Sequence, residues 1–404
     1  MIKNIVIVGG GTAGWITAKT ILRHDVNVTL IESKNISPIG VGEGSTPNLL
    51  TFLEEFDIDI KKLNSTHKSG VQYINWYANY SSKYNDWFHP FANSDFTKSF
   101  EEVMDESKMT DIFYALHFDV ELLQNELKDS CLMTNINHIE NDVVDCELDK
   151  KGNISTVILK DNSHIKGDFF IDCSGFKRVL ISKLKPSFVD YSNELLCDRA
   201  IATHIDRKNN DSVKPTKAIA LSSGWSWDIP LADKTGVGYT YSSQFISDKD
   251  AKKEFNDYLG TEKDFKVIKF KSERLKNPLI NNCLAIGLSS GFFEPLEATN
   301  ISFILNQLNI FKCFGKIDIS DKDVIKQYNM KNNYLWDYGK EYIFAHYILS
   351  KRDDSKFWRY VKNLPKTNLI TDILDNYNID LSQSIFTYAD WQYLIVGMNR
   401  RKNE

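Results

Sequence analysis

No run of apolar residues in this 404-residue chain approaches the ~20 that a bilayer-spanning helix needs, so no membrane segment is expected. The six cysteines (Cys131, Cys146, Cys173, Cys197, Cys283 and Cys313) form no CxxC pair and no Cys/His spacing of a metal site. They read as reduced core residues, and no structural metal is expected. Positive charge is not in excess, because 49 Lys and Arg stand against 54 Asp and Glu. A formal net charge of -5 gives no long-range attraction to nucleic acid or an anionic membrane. Internal repeats, low-complexity tracts and Pro/Gly/Ser linkers are missing as well, which predicts interleaved domains rather than domains in series. The opening MIKNIVIVGG is already a buried-strand pattern without a basic segment and cleavage site, so a cytoplasmic location is expected.

What is present is the balance of an ordinary globular protein, 42% hydrophobic and 25% charged, which is enough to build a sizeable core. A prior of ~150 residues per domain suggests two or three compact units. Residues 3 to 8 (KNIVIV) read as a buried strand, 13 to 23 as a helix and 26 to 32 (VNVTLIE) as a second strand, making a βαβ unit. The stretch 141 to 175 predicts a short antiparallel meander running into a buried strand. From about 297 onward the pattern turns helical, with Tyr334, Tyr338 and Tyr342 spaced for one face and read as core.

Between the first strand and helix stands Gly9-Gly10-Gly11-Thr12-Ala13-Gly14, and Glu32 ends the second strand 18 residues after Gly14. In that context a GxGxxG is a strong dinucleotide-binding signal. Gly9 permits the tight turn, Gly11 lets a pyrophosphate approach backbone N–H groups at a helix N-terminus, and Gly14 lets the helix lie close to the strand. Glu32 is placed to accept hydrogen bonds from ribose hydroxyls, which disfavours a 2'-phosphate. Only one such motif is present, so a second Rossmann domain for nicotinamide is not expected.

Two later segments, GDFFIDCSGF (167 to 176) and AIGLSSGFFEP (285 to 295), resemble those with which FAD proteins close around their cofactor. Gly224-Trp225-Ser226-Trp227-Asp228-Ile229-Pro230 resembles the WxWxIP signature of the flavin-dependent halogenases, the group typified by the tryptophan halogenases. Four further segments agree in order with that family: GVGEGSTPNLLTFL (40 to 53), STHKSGVQYINW (65 to 76), FHPF (88 to 91) and FFEPLEATNISFI (292 to 304).

The resemblance implies an α/β, Rossmann-type FAD-binding fold of the flavin monooxygenase kind, with an interleaved substrate-binding region and a helical C-terminus. The FAD module is expected in 1–50, 100–185 and 280–320, and the substrate region in 51–99, 186–279 and 321–404. It implies that Gly9, Gly11, Thr12, Ala13, Gly14, Glu32, Gly42, Gly287 and Leu288 hold the cofactor, with Trp225 and Trp227 beside the flavin. Reduced FAD would come from a separate flavin reductase and would, with O2, oxidise halide to hypohalous acid. Lys68 falls where the family keeps its active-site lysine, to guide that oxidant as an ammonium or, if burial lowers its pKa, to form a haloamine. Glu297 falls on the second essential position, to polarise the oxidant or take the proton as the arene rearomatises.

Thr299 and Asn300 align with residues whose backbone amides cradle halide. Two departures occur there: Ala298 replaces a common hydroxyl, and Asn300 stands where glycine is common, which would be costly at positive φ. His89 and Phe91 occupy the HPF position that sandwiches the aromatic substrate. The chain ends at Glu404, short of the part that clasps free tryptophan in the family, which favours another indole, a phenol or a related electron-rich arene. A homo-oligomer is possible. The competing readings are a flavin aromatic hydroxylase and a catalytically silent flavin binder. The first is disfavoured because Ile286-Gly287-Leu288 lacks the acid of the hydroxylases' late Gly-Asp phrase, and the second because Lys68 and Glu297 would have no purpose.

Overall fold

A computed structural model of the chain describes residues 2–22, 26–36, 43–76, 86–91, 114–207, 213–313, 321–375 and 379–399. The expected βαβ unit is there, as strand Asn4–Val8, helix Thr12–Ile21 and strand Asn27–Glu32. The two strands pair in parallel within a six-stranded sheet ordered Leu279–Ile280, Cys283–Ala285, Phe169–Asp172, Asn4–Val8, Asn27–Glu32, Asn137–Glu140. Continuous apolar runs such as Ile5 to Val8 and Phe169 to Ile171 suit strands covered on both faces. The meander is also present: Val143–Leu148, Ile154–Leu159 and His164–Lys166 form an antiparallel sheet that leads into Phe169–Asp172.

A second, nine-stranded sheet carries the central part of the chain. Strand Thr66–Ile74 lies in parallel beside Val213–Leu221 and antiparallel to Ala115–Phe118 and Asp86–Pro90. The signature strand Gly224–Pro230 is paired on both sides, with Val213–Leu221 and Lys234–Tyr241. Ala115–Phe118 and Glu43–Gly44 join this sheet, while Asn27–Glu32 before them and Asn137–Glu140 after them lie in the six-stranded sheet, so the chain passes between the two sheets at single strands.

The C-terminal part is helical: Thr299–Cys313, Lys322–Leu349, Lys356–Lys362, Asn368–Leu374 and Tyr388–Asn399. One core lies under the βαβ unit, and another fills the space between the large sheet and these helices. The core reading of the tyrosine ladder needs correction at one end. Tyr342 is fully buried, but Tyr334 is 44% exposed and stacks on Tyr338, because the early half of the helix buries a different face, with Tyr328, Asn332, Leu335 and Trp336, and only the later turns are buried all round. The cysteines are all free thiols; five are buried, and Cys313, expected in the core, is exposed at a helix end. No helix among the described residues is long and apolar enough to cross a membrane.

Candidate active site

The glycine-rich loop meets the requirements of a dinucleotide cradle. Gly9 has φ +118°, and a Cβ there would lie 2.3 Å from the Cys173 carbonyl oxygen. A Cβ on Gly14 would lie 1.8 Å from the Gly9 carbonyl oxygen, which is the close helix–strand approach expected of it. Gly11 faces open space, and the helix it caps has no side-chain cap, so its first N–H groups remain available to an anion. Glu32 folds over Gly10, where its Oε2 accepts from Lys128 at 2.7 Å and His138 at 3.1 Å. Thr12 is held by Gln124, and Gly287 (φ +65°) packs close to Ala13, bringing the Gly287-Leu288 turn onto the start of the helix. These residues fit FAD. Gly42 lies outside the described residues. Gly14→Ala should cut FAD affinity by about tenfold or more, read from flavin retained after gel filtration, because the clash is with backbone that cannot move aside.

Lys68 sits in strand Thr66–Ile74 and is fully buried. The register against Val213–Leu221 shifts here: three residues, Lys214 to Thr216, lie opposite four, Lys68 to Val71. This is a β-bulge at Ser69-Gly70, helped by Gly70 at φ +153°. In a regular strand Lys68 and Tyr73, five apart, would point to opposite faces. The extra residue brings them to the same one.

Lys68 Nζ donates to the Ser45 carbonyl oxygen at 2.9 Å and lies 5.1 Å from the centre of the Phe91 ring. Ser45 is itself pinned to strand Ala115–Phe118 through its N–H and its Oγ. Burial lowers the Lys68 ammonium to about 8, and the Glu297 carboxylate works against that shift. Behind Lys68 runs a buried chain of hydrogen bonds. Thr66 donates to the Pro230 carbonyl, so its oxygen accepts from His117 Nδ1 at 3.2 Å. His117 Nε2 is then left to accept from the Thr216 hydroxyl at 2.9 Å. Burial and the charge of Lys68 hold His117 well below its ordinary pKa, consistent with that neutral tautomer.

Glu297 lies in the turn before helix Thr299–Cys313 and is 2% exposed. Its Oε1 accepts from the Tyr73 hydroxyl and from His89 Nδ1 at 2.9 Å, with His346 Nε2 3.7 Å away. Oε2 has no partner among the described residues. Burial raises its pKa, but the charge and hydrogen bond of His89 outweigh burial and hold the carboxyl well below the usual range. His89 makes a second bond from Nε2 to Asp390 Oδ1 at 3.0 Å, at the start of the last helix. Burial alone would lower the imidazole, yet the two carboxylates push it up to about 10, so it is an imidazolium. His346 donates through Nδ1 to the Tyr342 carbonyl, and burial keeps it below its ordinary pKa.

The two halves of the site meet across Gly44. A Cβ there would stand 3.5 Å from Lys68 Nζ, 3.4 Å from Thr216 Oγ1 and 3.3 Å from Ala298 Cβ, the residue after Glu297. Thr299 opens the helix with its Oγ1 buried and unpartnered. The strain expected at Asn300 falls two residues earlier: Asn300 is helical, and Ala298 takes the left-handed conformation at φ 56°. His89, expected as a substrate contact, has both ring nitrogens occupied by carboxylates. Trp225 and Trp227 lie in the core between the large sheet and the C-terminal helices. Tyr73 lies within the matching segment 65 to 76 without being singled out there, His117, His346 and Asp390 carry no local motif, and only the fold brings all four to the site.

A dinucleotide cradle in one fold with a buried lysine and a buried, ionised glutamate is the equipment of a nucleotide-cofactor enzyme with charged groups poised around a reacting species. The tryptophan halogenase family model matches residues 4–104 and 94–404. Tryptophan 7-halogenase KtzQ of Kutzneria sp. is 32% identical, over 94% of this chain and 82% of its own length. Tryptophan 6-halogenase ThaL of Streptomyces albogriseolus is 30% identical with the same coverage. Among solved structures, a tryptophan halogenase from Shewanella frigidimarina superposes with a TM-score of 0.91 at 28% identity, covering 98% of this chain and 89% of that one. The chain belongs to the tryptophan halogenase family and is an enzyme, a flavin-dependent halogenase of aromatic substrates. The hydroxylase reading is set aside with that membership.

Proposed function

We propose that this enzyme uses reduced FAD from a separate reductase, O2 and a halide to halogenate an indole- or phenol-type small molecule, with Lys68 and Glu297 dividing the proton chemistry. The observation that carries the reading is the pairing of a buried lysine near pH 8 with a buried carboxylate held ionised, joined across Gly44. Reduced FAD, when bound, supplies with O2 and halide an electrophilic hypohalous acid.

Lys68 meets that acid with the N–H donors not spent on Ser45. As an ammonium below about pH 8 it donates to the oxygen of the hypohalous acid, which polarises the halogen toward the arene. When the arene attacks halogen, the departing oxygen takes a proton from Lys68 and leaves as water. The ring proton of the resulting arenium ion passes to Glu297 Oε2, and one proton transfer from Glu297 to Lys68 restores both charges. A carboxylate with so low a pKa is a weak base, but an arenium ion is a strong carbon acid, so a weak base suffices. The imidazolium of His89 keeps Glu297 ready in the ionised form. Phe91, within reach of the Lys68 charge, would form one wall of the arene site. Thr299, with an unpartnered hydroxyl at the N-terminus of a 15-residue helix, supports halide binding there.

The test is mass spectrometry of reactions with protein, FAD, a flavin reductase with NADH, an indole and phenol panel, and chloride, bromide or iodide in turn. The expected result is a halogen mass shift that requires both the protein and the halide. Oxygen addition without halogen, or no product from any arene of either type, would overturn the reading.

A further inference from the structure

The signature tryptophan Trp225 bonds the turn that holds Glu297. Strand Gly224–Pro230 lies between two paired neighbours, and Trp225, Trp227 and Ile229 alternate onto the face covered by the C-terminal helices. Trp225 Nε1 donates at 2.7 Å to Oε2 of Glu294, a fully buried carboxyl three residues before Glu297. The Tyr347 hydroxyl donates to the same oxygen, and the Cys197 thiol lies 3.4 Å from that hydroxyl. From Glu294 the chain has little slack: the Ala298 N–H bonds the Pro295 carbonyl at 2.9 Å, Ala298 is left-handed, and the helix starts at Thr299.

We infer that Trp225 is a positioning residue for halogenation: through its indole N–H it clamps Glu294, and Glu294 sets the turn that places Glu297 against His89 and Tyr73. The inference rests on the reading of Glu297 as the proton acceptor. A buried carboxyl is costly unless its oxygens are partnered, and Trp225 and Tyr347 supply two donors to Oε2. Burial pushes Glu294 up to about 7, so removing a donor leaves it still less able to hold its place as a carboxylate. The aromatic ring of Trp225 can be kept while the N–H is removed, which separates packing from clamping.

The test uses Trp225→Phe, Glu294→Leu, the double variant and Glu294→Gln, whose amide oxygen can still accept from Trp225 and Tyr347. The first readout needs no turnover: the His89 imidazole is titrated by NMR, with its signal identified from His89→Gln. The groups facing His89 are Glu297, Asp390, Tyr342, Tyr393 and, beyond Glu297, His346. Trp225→Phe and Glu294→Leu are expected to lower the His89 pKa by at least ~1 unit as Glu297 moves away, while Glu294→Gln keeps the wild-type value. The double variant should be no worse than either single one, because both remove the same contact. In turnover, kcat should fall on the order of 10²-fold with KM for the arene and FAD affinity unchanged, as expected for a misplaced reacting group. An unchanged His89 titration in Trp225→Phe would overturn the inference. So would hydroxylated arene from that variant, which would place Trp225 at the flavin instead. Failure of the wild-type enzyme to halogenate would count against the role of Glu297, and the His89 titration would still report whether the clamp exists.

Discussion

Lys68→Ala should lose halogenated product by about 10³-fold or more while FAD binding stays intact, since Lys68 lies in the large sheet, away from the glycine-rich loop. Flavin absorbance on the purified variant and product by mass spectrometry read the two effects separately. A variant that halogenates normally would remove Lys68 from the mechanism. The same residue should weaken the fold it serves. Its folded pKa, about 8, is below the ordinary 10.5, so the charged form is disfavoured in the native state. The stability cost, roughly 3 kcal/mol from that shift, is fully present below pH 8 and fades as pH rises toward 10.5. Lys68→Met should therefore be more stable than wild type by roughly 1–3 kcal/mol at neutral pH, less about one hydrogen bond for the Ser45 carbonyl it leaves. Between pH 8 and 10.5 this upward contribution runs against the loss from His89 in wild type, so stability should fall more steeply with pH in the variant than in wild type over that range. Urea unfolding at stepped pH measures both.

Glu297→Gln should lower kcat by about 10²–10⁴-fold, because a neutral amide neither takes the ring proton nor balances the charge on Lys68. It should also destabilise the protein by ~3–5 kcal/mol, the range for breaking one partner out of a buried ion pair. The signs of the pH dependence follow from the shifts. Glu297 is held below the usual carboxylate range, so its contribution is present above its unfolded pKa near 4.5 and is lost as pH falls. His89 is raised, so its contribution is present below 6.5 and is lost as pH climbs through about 10. Wild type should thus show a stability plateau between those limits, and Glu297→Gln should lack most of it. Asp390 keeps a carboxylate on His89 in the variant, so the imidazole should retain part of its upward shift. A variant as stable as wild type across that range would mean that the Glu297–His89 pair is not formed.

Short-range features are legible in the sequence alone. The βαβ unit is a strand, a turn and a helix within one stretch of chain, and the glycine at 14 reports a local clash that any dinucleotide loop must avoid. Lys68 and Glu297 could be named only through resemblance, because a lysine in a polar stretch has no composition that announces burial. Tyr334 went the other way: helical spacing puts it in line with Tyr342, but spacing cannot say which turns of a 28-residue helix are covered on every side and which on one face only. Asn300 was expected to carry backbone strain because it replaces a glycine, and the structure moves that strain to Ala298, since the first residue that can be helical is set by where the turn closes on Pro295.

By itself the sequence determined the βαβ unit with its glycine-rich turn and the α/β class, since these are written in neighbouring residues, and through resemblance it nominated Lys68 and Glu297 as the reactive pair. The electrostatics were decided by tertiary structure alone. One extra residue at Ser69-Gly70 turns Lys68 to the face of Tyr73, and the last helix delivers Asp390 to the far side of His89. Coulomb energy depends on distance and burial rather than on position along the chain, so the charge states of Lys68, His89 and Glu297 exist only once those elements have packed.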